Sequence, residues 1–381
     1  PLAFAIVRRD GKETLFVDDI KLSPEVRAHL GNTVDTRPRW AFPDALAGLK
    51  GLAVAADPER SAHAVFAALA AAGARAVEAR DPCVLPKAIK TPAEIAGMRA
   101  AHLRDGAALT RFLHWLSIEA PKGQLDELTA IARLEAFRRE TGALKDLSFD
   151  TIAGSGPNGA IIHYRATEAS NRCVQPGELF LIDSGGQYAD GTTDVTRTVA
   201  VGEPTADMRR HFTLVLKAHI ALATAVFPDG ARGCQLDGVT RAPLWAAGLD
   251  YAHGTGHGVG AFLAVHEGPA RIASYGGGDE PLRAGMILSN EPGYYRQGAF
   301  GIRIENLVLV VTRDVPDAEK QMLGFETLTL APIERALVEP GMLTPGERGW
   351  LDAYHAAIMT GLGPLVPDDT RSWLAAACAP I

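Results

Sequence analysis

Short apolar runs bounded by Gly, Asp and Pro dominate the chain, and longer stretches with helical apolar spacing separate them. Phe4-Ala-Ile-Val7 and Thr14-Leu-Phe-Val17 flank Asp10-Gly11, a hairpin signal. Gly51-Leu-Ala-Val-Ala55 reads as a strand, and Asp57-Pro58 places an N-cap before a first-turn proline for a helix to about residue 72. A strand near 75–79 completes a β-α-β unit, but its strand-to-helix turn has no glycine to admit a phosphate. Residues 81–86 read as a linker. Thr91-Pro-Ala-Glu94 is a capping box opening a helix to about 118; residues 121–123 break it, and a second helix runs over 125–140. A β-rich segment extends to 200. Helices are expected over 205–227 and 236–247, strands near 286–289 and 302–311, and terminal helices from Thr344-Pro-Gly-Glu347 and over 369–377.

Within the β-rich segment, Leu179-Phe-Leu-Ile-Asp183 and Asp194-Val-Thr-Arg-Thr198 are joined by a glycine-rich bend and the Asp190-Gly191 turn. A hairpin would bring Asp183 and Asp194 together. A turn acid or an N-cap accounts for either one alone. Two carboxylates on facing apolar strands are costly to bury without a cation, and a hard divalent ion accounts for both.

Composition narrows the classes. The chain has 381 residues, 47% hydrophobic and 22% charged, enough for two domains of a globular protein. A net charge of −7 argues against nucleic acid as a partner, and no apolar run reaches the ~18 residues of a membrane span. Cys83, Cys173, Cys234 and Cys378 form no CxxC pair, which fits a reducing, cytoplasmic setting without a disulfide frame. No signal peptide is evident; the chain opens on Pro1 in mid-strand, so a segment is expected to precede it.

Further potential ligands lie in His253-Gly-Thr-Gly-His-Gly-Val-Gly260, in Val265-His266-Glu267, in Ser289-Asn-Glu291-Pro-Gly-Tyr-Tyr295 and in Gly301-Ile-Arg303-Ile-Glu305-Asn306. Strand alternation puts Arg303 and Glu305 on one face; an exposed edge-strand face is the plainer account of Glu305. His253 and His257 have the spacing of a helical zinc pair, but Gly254, Gly256 and Gly258 oppose a helix. His266-Glu267 lacks the second zincin histidine, since position 270 is Ala270. Gly154-Ser-Gly-Pro-Asn-Gly159 matches GxGxxG, but the run from Ala160 through His163 reads as a strand where a dinucleotide fold needs a helix. His29, His63, His102, His114, His211, His219 and His355 stand outside every motif and read as structural or surface residues.

The motifs together resemble the pita-bread metallopeptidases, which include methionine aminopeptidase, prolidase and aminopeptidase P. Ser155-Gly-Pro-Asn-Gly-Ala-Ile-Ile-His-Tyr164, Ile182-Asp-Ser-Gly, Asp190-Gly-Thr-Thr-Asp-Val-Thr-Arg-Thr198, the 253–260 run and Glu291 through Asn306 are most similar to the eukaryotic-type cytosolic Xaa-Pro aminopeptidases. The resemblance implies an α+β fold: a partial creatinase-like α/β accessory domain at 1–86, a pita-bread catalytic domain at 87–336 and a helical extension at 337–381. It implies two divalent ions, Mn²⁺ or else Zn²⁺ or Co²⁺, with Asp183 on one, Asp194 and Glu305 bridging, and His257 and Glu291 on the other. Four carboxylates would balance two such cations; unbalanced, each like-charge pair about 4 Å apart would cost about 4 kcal/mol. The implied reaction is attack on an N-terminal Xaa-Pro bond by a hydroxide held between the ions. Glu291 would shuttle the proton, His266 steady the oxyanion, and His163 and His253 shape the proline pocket beside Tyr295 and Arg303. A homodimer acting on peptides with proline second is implied. A dipeptide-restricted prolidase and a non-catalytic binding module are the rival readings; retention of all five ligands opposes the second.

Overall fold

The computed structural model describes residues 2–381. One compact unit ends at Val84 and a second spans Leu85–Ile381.

In the first unit Phe4–Val7 pairs antiparallel with Glu13–Phe16 across the Asp10-Gly11 turn, and Val34–Arg37 joins the far edge in parallel. Ala53–Ala56 and Arg75–Glu78 run parallel, with helix His63–Ala72 as the crossover. The β-α-β unit stands, but its helix starts later than Asp57-Pro58 predicts. Asp57 is occupied elsewhere: its carboxylate accepts from Glu59 N at 2.9 Å and from Asp81 N at 2.8 Å, tying a turn to the segment after the second strand. Helix Pro24–Leu30, capped by Ser23 with Pro24 in its first turn, and helix Phe42–Ala47 are further elements of this unit. Both are too short for periodicity to register.

The second unit is built on helix Pro92–Glu119. Thr91 and Glu94 form the reciprocal capping box. Its buried face, Met98, His102, Asp105, Leu109, Phe112 and Leu116, keeps the three- and four-residue spacing of one helix side. Helix Glu127–Arg139 packs beside it, and both cover a three-stranded antiparallel sheet. In that sheet Leu179–Ser184 lies between Ile152–Ser155 and Val195–Ala200 and is buried along its whole length. Ala206–Ala223 and Gly233–Trp245 form a helix pair against a second sheet, ordered Phe227–Pro228, Met322–Thr327, Asn306–Arg313, Ile287–Asn290. The first of these helices stops short of 227 because Phe227 enters the sheet. Helix Pro345–Leu362 contributes Leu351, Tyr354, Ile358 and Leu362 to the core that holds Phe212, Ile302 and Ile304.

Two local expectations need correction. Residues 160–164 are not a strand: Gly156–Ala160 is a 3-10 turn. The chain after it is pinned by Tyr164, whose hydroxyl donates to Ser170 O at 2.8 Å. The strand expected over 302–311 is two strands. Phe300–Arg303 pairs with Gly293–Arg296, and Asn306–Arg313 pairs with Ile287–Asn290. Between them Ile304 N reaches Pro292 O and Glu305 N reaches Thr196 O, so the chain changes partners at Glu305.

Candidate metal centre

The site forms where these irregularities meet. Antiparallel register sets Asp183 opposite Thr196, while Asp194 stands just before the returning strand. A Cβ on Gly185 would lie 2.0 Å from Thr193 O, so only glycine lets the two arms of the hairpin close. His257 comes from the two-residue strand Gly256–His257, which pairs with Arg271–Ile272. A Cβ on Gly256 would stand 2.0 Å from Ser289 O, so glycine lets this strand lie against Ile287–Asn290. Ser289 Oγ then accepts from His257 N at 2.9 Å and donates to Glu291 Oε1 at 2.9 Å. Glu305 is buried at the partner change, with its carboxylate accepting from Thr196 Oγ1 at 2.7 Å.

Ligand atoms of Asp194, His257 and Glu305 all lie within 4.8 Å of one another. His257 Nε2 is 3.5 Å from Asp194 Oδ2 and 3.4 Å from Glu291 Oε1. Asp183 is not in that trio, but its charge acts on Asp194, Glu291 and Glu305. Its Oδ2 accepts from Arg303 Nη2 at 2.6 Å, and its Oδ1 is buried without a partner. His257 Nδ1 faces the Gly258 carbonyl at 3.0 Å. A carbonyl only accepts, so that nitrogen carries the proton and the Nε2 lone pair is left facing the carboxylates.

Charge is crowded here. Burial, then Asp183 and Glu291, push the Asp194 carboxyl well above the usual range. Burial, then Asp194, Glu291 and Asp183, do the same to Glu305. Burial also raises Glu291, against the opposing pull of His257 and Arg303. A cluster that resists ionisation, an orphaned carboxylate oxygen and an imidazole in the ligating tautomer are what a cation site looks like from its donors. The residues present fit divalent ions.

Arg303 Nη1 donates to Tyr295 Oη at 2.7 Å, and Tyr295 Oη lies 2.9 Å from His253 Nε2. His253 Nδ1 faces Gly254 O at 2.8 Å, so Nε2 is the acceptor and Tyr295 donates to it. Burial, then Arg303, hold His253 down at about 3, neutral at physiological pH. His266 is exposed at the rim, its ring 4.2 Å from that of His257 and perpendicular to it. The side chains crowded against one face of the ring, then His257, lower it to about 4. His163 is exposed in the turn after Gly156–Ala160, near enough for its charge to act on both His253 and His266. Asp194, His257 and Glu305 form the close group, Glu291 adjoins it through His257, Arg303 links it to Asp183 and Tyr295, and Glu267 turns away to Lys90; Arg303 and Glu305 share a side through Thr196.

Sequence reasoning missed the supports. Thr196 bonds both Glu305 and Arg303. Arg197, buried, donates to Glu305 O, Thr196 O, Asn306 Oδ1, Ala331 O, Pro332 O and Tyr354 Oη. Asp237 accepts from Thr255 Oγ1 at 2.5 Å and from Arg241 Nε at 2.9 Å, and Arg241 Nη2 holds His253 O at 2.6 Å. The only signal for these was polarity inside apolar runs.

Known proteins share this arrangement of chain. The model of metallopeptidase family M24 matches residues 96–312, the C-terminal region of peptidase M24 matches 321–381, and the creatinase/prolidase N-terminal domain matches 1–94. A Laccaria bicolor protein named "Probable Xaa-Pro aminopeptidase P" is 44% identical over 395 residues, covering 100% of this chain and 60% of that protein. One of the same name from Penicillium rubens is 44% identical over 384 residues, covering 96% and 62%. The crystal structure of X-prolyl aminopeptidase from Caenorhabditis elegans, described as a cytosolic enzyme with a di-nuclear active site, superposes with a TM-score of 0.90 at 37% identity. It is matched over 100% of this chain and 64% of that one. The chain therefore spans about 60% of the length of the curated relatives it matches.

Proposed function

The chain belongs to metallopeptidase family M24, and we propose that it hydrolyses the bond between an N-terminal residue and a following proline. The observation that carries this reading is the convergence of Asp194, His257 and Glu305 within 4.8 Å, beside the orphaned oxygen of Asp183. In this reading Asp183, Asp194, His257, Glu291 and Glu305 would together hold two divalent ions, with Asp194 and Glu305 as the ligands shared between them. Such ions, when bound, would supply an activated water and polarise the scissile carbonyl. A donor set of four carboxylates and one imidazole favours Mn²⁺ over softer ions, with Zn²⁺ and Co²⁺ as substitutes.

The chain's own groups do the rest. Glu291, raised by burial and oriented by Ser289, is placed to take a proton from water and pass it to the leaving proline nitrogen. Neutral His266, at the rim, is placed to donate to the oxygen that gains charge during attack. Arg303, Tyr295 and His253 form a hydrogen-bonded polar wall, and His163 would complete the proline pocket beside it. Proline has no N–H and a fixed φ, so a pocket for it needs shape more than backbone donors. With this reading go the division at 86 and 336, a homodimer and a cytoplasmic location. The last draws support from the nematode relative, described as cytosolic.

The test is a substrate series on the metal-loaded protein. Arg-Pro-Pro should be cleaved at its first bond at least as well as Arg-Pro. Strict confinement to dipeptides would overturn this reading in favour of a prolidase.

A further inference from the structure

An ion pair beneath the candidate site has no part in the proposed chemistry. Lys90 precedes the capping box of helix Pro92–Glu119. Its backbone is tied to the second sheet by Lys90 N to Gly285 O at 2.9 Å and by the Ile89–Met286 bridge. Its ammonium donates to Glu267 Oε1 at 2.7 Å. Both side chains are buried, 2% and 7% exposed. Lys87 approaches the other Glu267 oxygen at 3.2 Å from solvent.

Two desolvated charges are a poor way to hold a fold together, because an apolar pair of similar volume often does as well or better. What this pair fixes is a direction. Glu267 points into the interior, while His266, its neighbour in the chain, is exposed with its ring against His257. The base of the loop is closed by Glu267 N to Gly258 O at 2.8 Å and Gly258 N to Ala270 O at 2.9 Å. Inside it, Leu263 and Ala264 are both left-handed, at φ 59° and 50°, a conformation that L-residues hold only against a cost. Such a loop needs anchors from outside. Gln187 Oε1 supplies one, accepting from Leu263 N at 3.1 Å. Thr192 Oγ1 adds a longer bond to Leu263 O at 3.4 Å, and Lys90 holds the far end of the loop through Glu267. The loop is also closed tightly on itself: a Cβ on Gly260 would stand 2.4 Å from Leu263 O and 3.0 Å from Glu267 Oε2.

We propose that Lys90 and Glu267 are positioning residues that clamp the 260–266 loop and so set the His266 imidazole against the reacting centre. The clamp rests on the proposed role of His266 as the oxyanion donor.

The test uses the full chain with Mn²⁺ and the double variant Lys90→Met/Glu267→Leu, since removing one partner alone strands the other charge in the interior. The melting temperature and metal content should match the wild type. Chymotrypsin should cut after the exposed Phe262 about tenfold faster, and kcat should fall about tenfold with KM little changed, the scale expected of a slightly misplaced group. Adding His266→Ala to the double variant should cost nothing beyond His266→Ala alone. Wild-type cleavage and turnover in the double variant would overturn the clamp, and so would losses that simply add to those of His266→Ala. Faster cleavage together with a silent His266→Ala would uphold the clamp and remove His266 from the reaction, which separates the two failures.

Discussion

Asp183 divides its two oxygens between a guanidinium and nothing: Oδ2 lies 2.6 Å from Arg303, and Oδ1 is buried and unpaired. An unpaired carboxylate oxygen in the interior is worth several kcal/mol of destabilisation unless a cation meets it. Asp194 and Glu305 have no guanidinium of their own within ion-pair range among the described residues, and burial keeps them from ionising freely. Asp194→Asn and Glu305→Gln should therefore abolish peptide cleavage and lower bound metal in plasma emission analysis. Full activity in either would refute the bridging role. His266 touches the site from the rim and bonds none of the acids, so His266→Ala should lose turnover by about 10²–10³-fold while metal content holds. The ligands stood out in the sequence because a charge inside a glycine-rich or apolar run is costly unless something of opposite sign meets it. Thr196 and Ser289 did not, because a hydroxyl in a strand is ordinary β-sheet composition until its partner across the fold is known.

At the scale of elements, the site depends on strands too short to hold themselves. Gly256–His257 has two residues, and it is fixed by Arg271–Ile272 on one side and by the Ser289 hydroxyl on the other. Ser289 links the strand bearing His257 to the segment bearing Glu291. Ser289→Ala should leave the fold intact and weaken metal affinity or activity by about 10–100-fold, the usual cost of losing a group that orients ligands. Isothermal titration with Mn²⁺ would read it, and unchanged affinity with unchanged turnover would show the link to be idle. The long elements were legible: the capping box at Thr91 and Glu94 and the stripe from Met98 to Leu116 are local properties of the chain. The partner change at Glu305 was not. Alternation holds from Ile302 to Glu305 and slips at Asn306, but a slip of one residue does not say which strands pair on either side; the competing claims of Pro292 O and Thr196 O show that two strands meet there. The helix expected from Asp57 starts only at His63 for a similar reason, the Asp57 carboxylate being drawn to Asp81 N, 24 residues away.

At the scale of the whole molecule, two groups of buried residues tilt stability with pH in opposite directions. His219, held down to about 3 by burial and then by Arg197, refuses a proton that the unfolded chain accepts below about 6.5. The stability it represents is present above pH 6.5 and drains as pH falls toward 3, by roughly 1.4 kcal/mol for each unit of separation. Asp194, Glu291 and Glu305 are raised, so without metal the folded chain retains protons that the unfolded chain releases above about pH 4. Their contribution is full below that pH and is lost as pH rises through their folded values. Divalent ions replace those protons, so binding should strengthen with pH and cancel the alkaline loss. At an ion concentration of about 100 times Kd the added stability is about 2.7 kcal/mol. Melting temperatures measured from pH 7 to 9, above the range in which His219 contributes, in EDTA and in Mn²⁺ should therefore diverge, with the metal-free curve falling as pH rises and the loaded curve nearly level. Parallel curves would mean that the carboxylates do not share a cation, because only competition between protons and metal at the same oxygens makes the gap depend on pH.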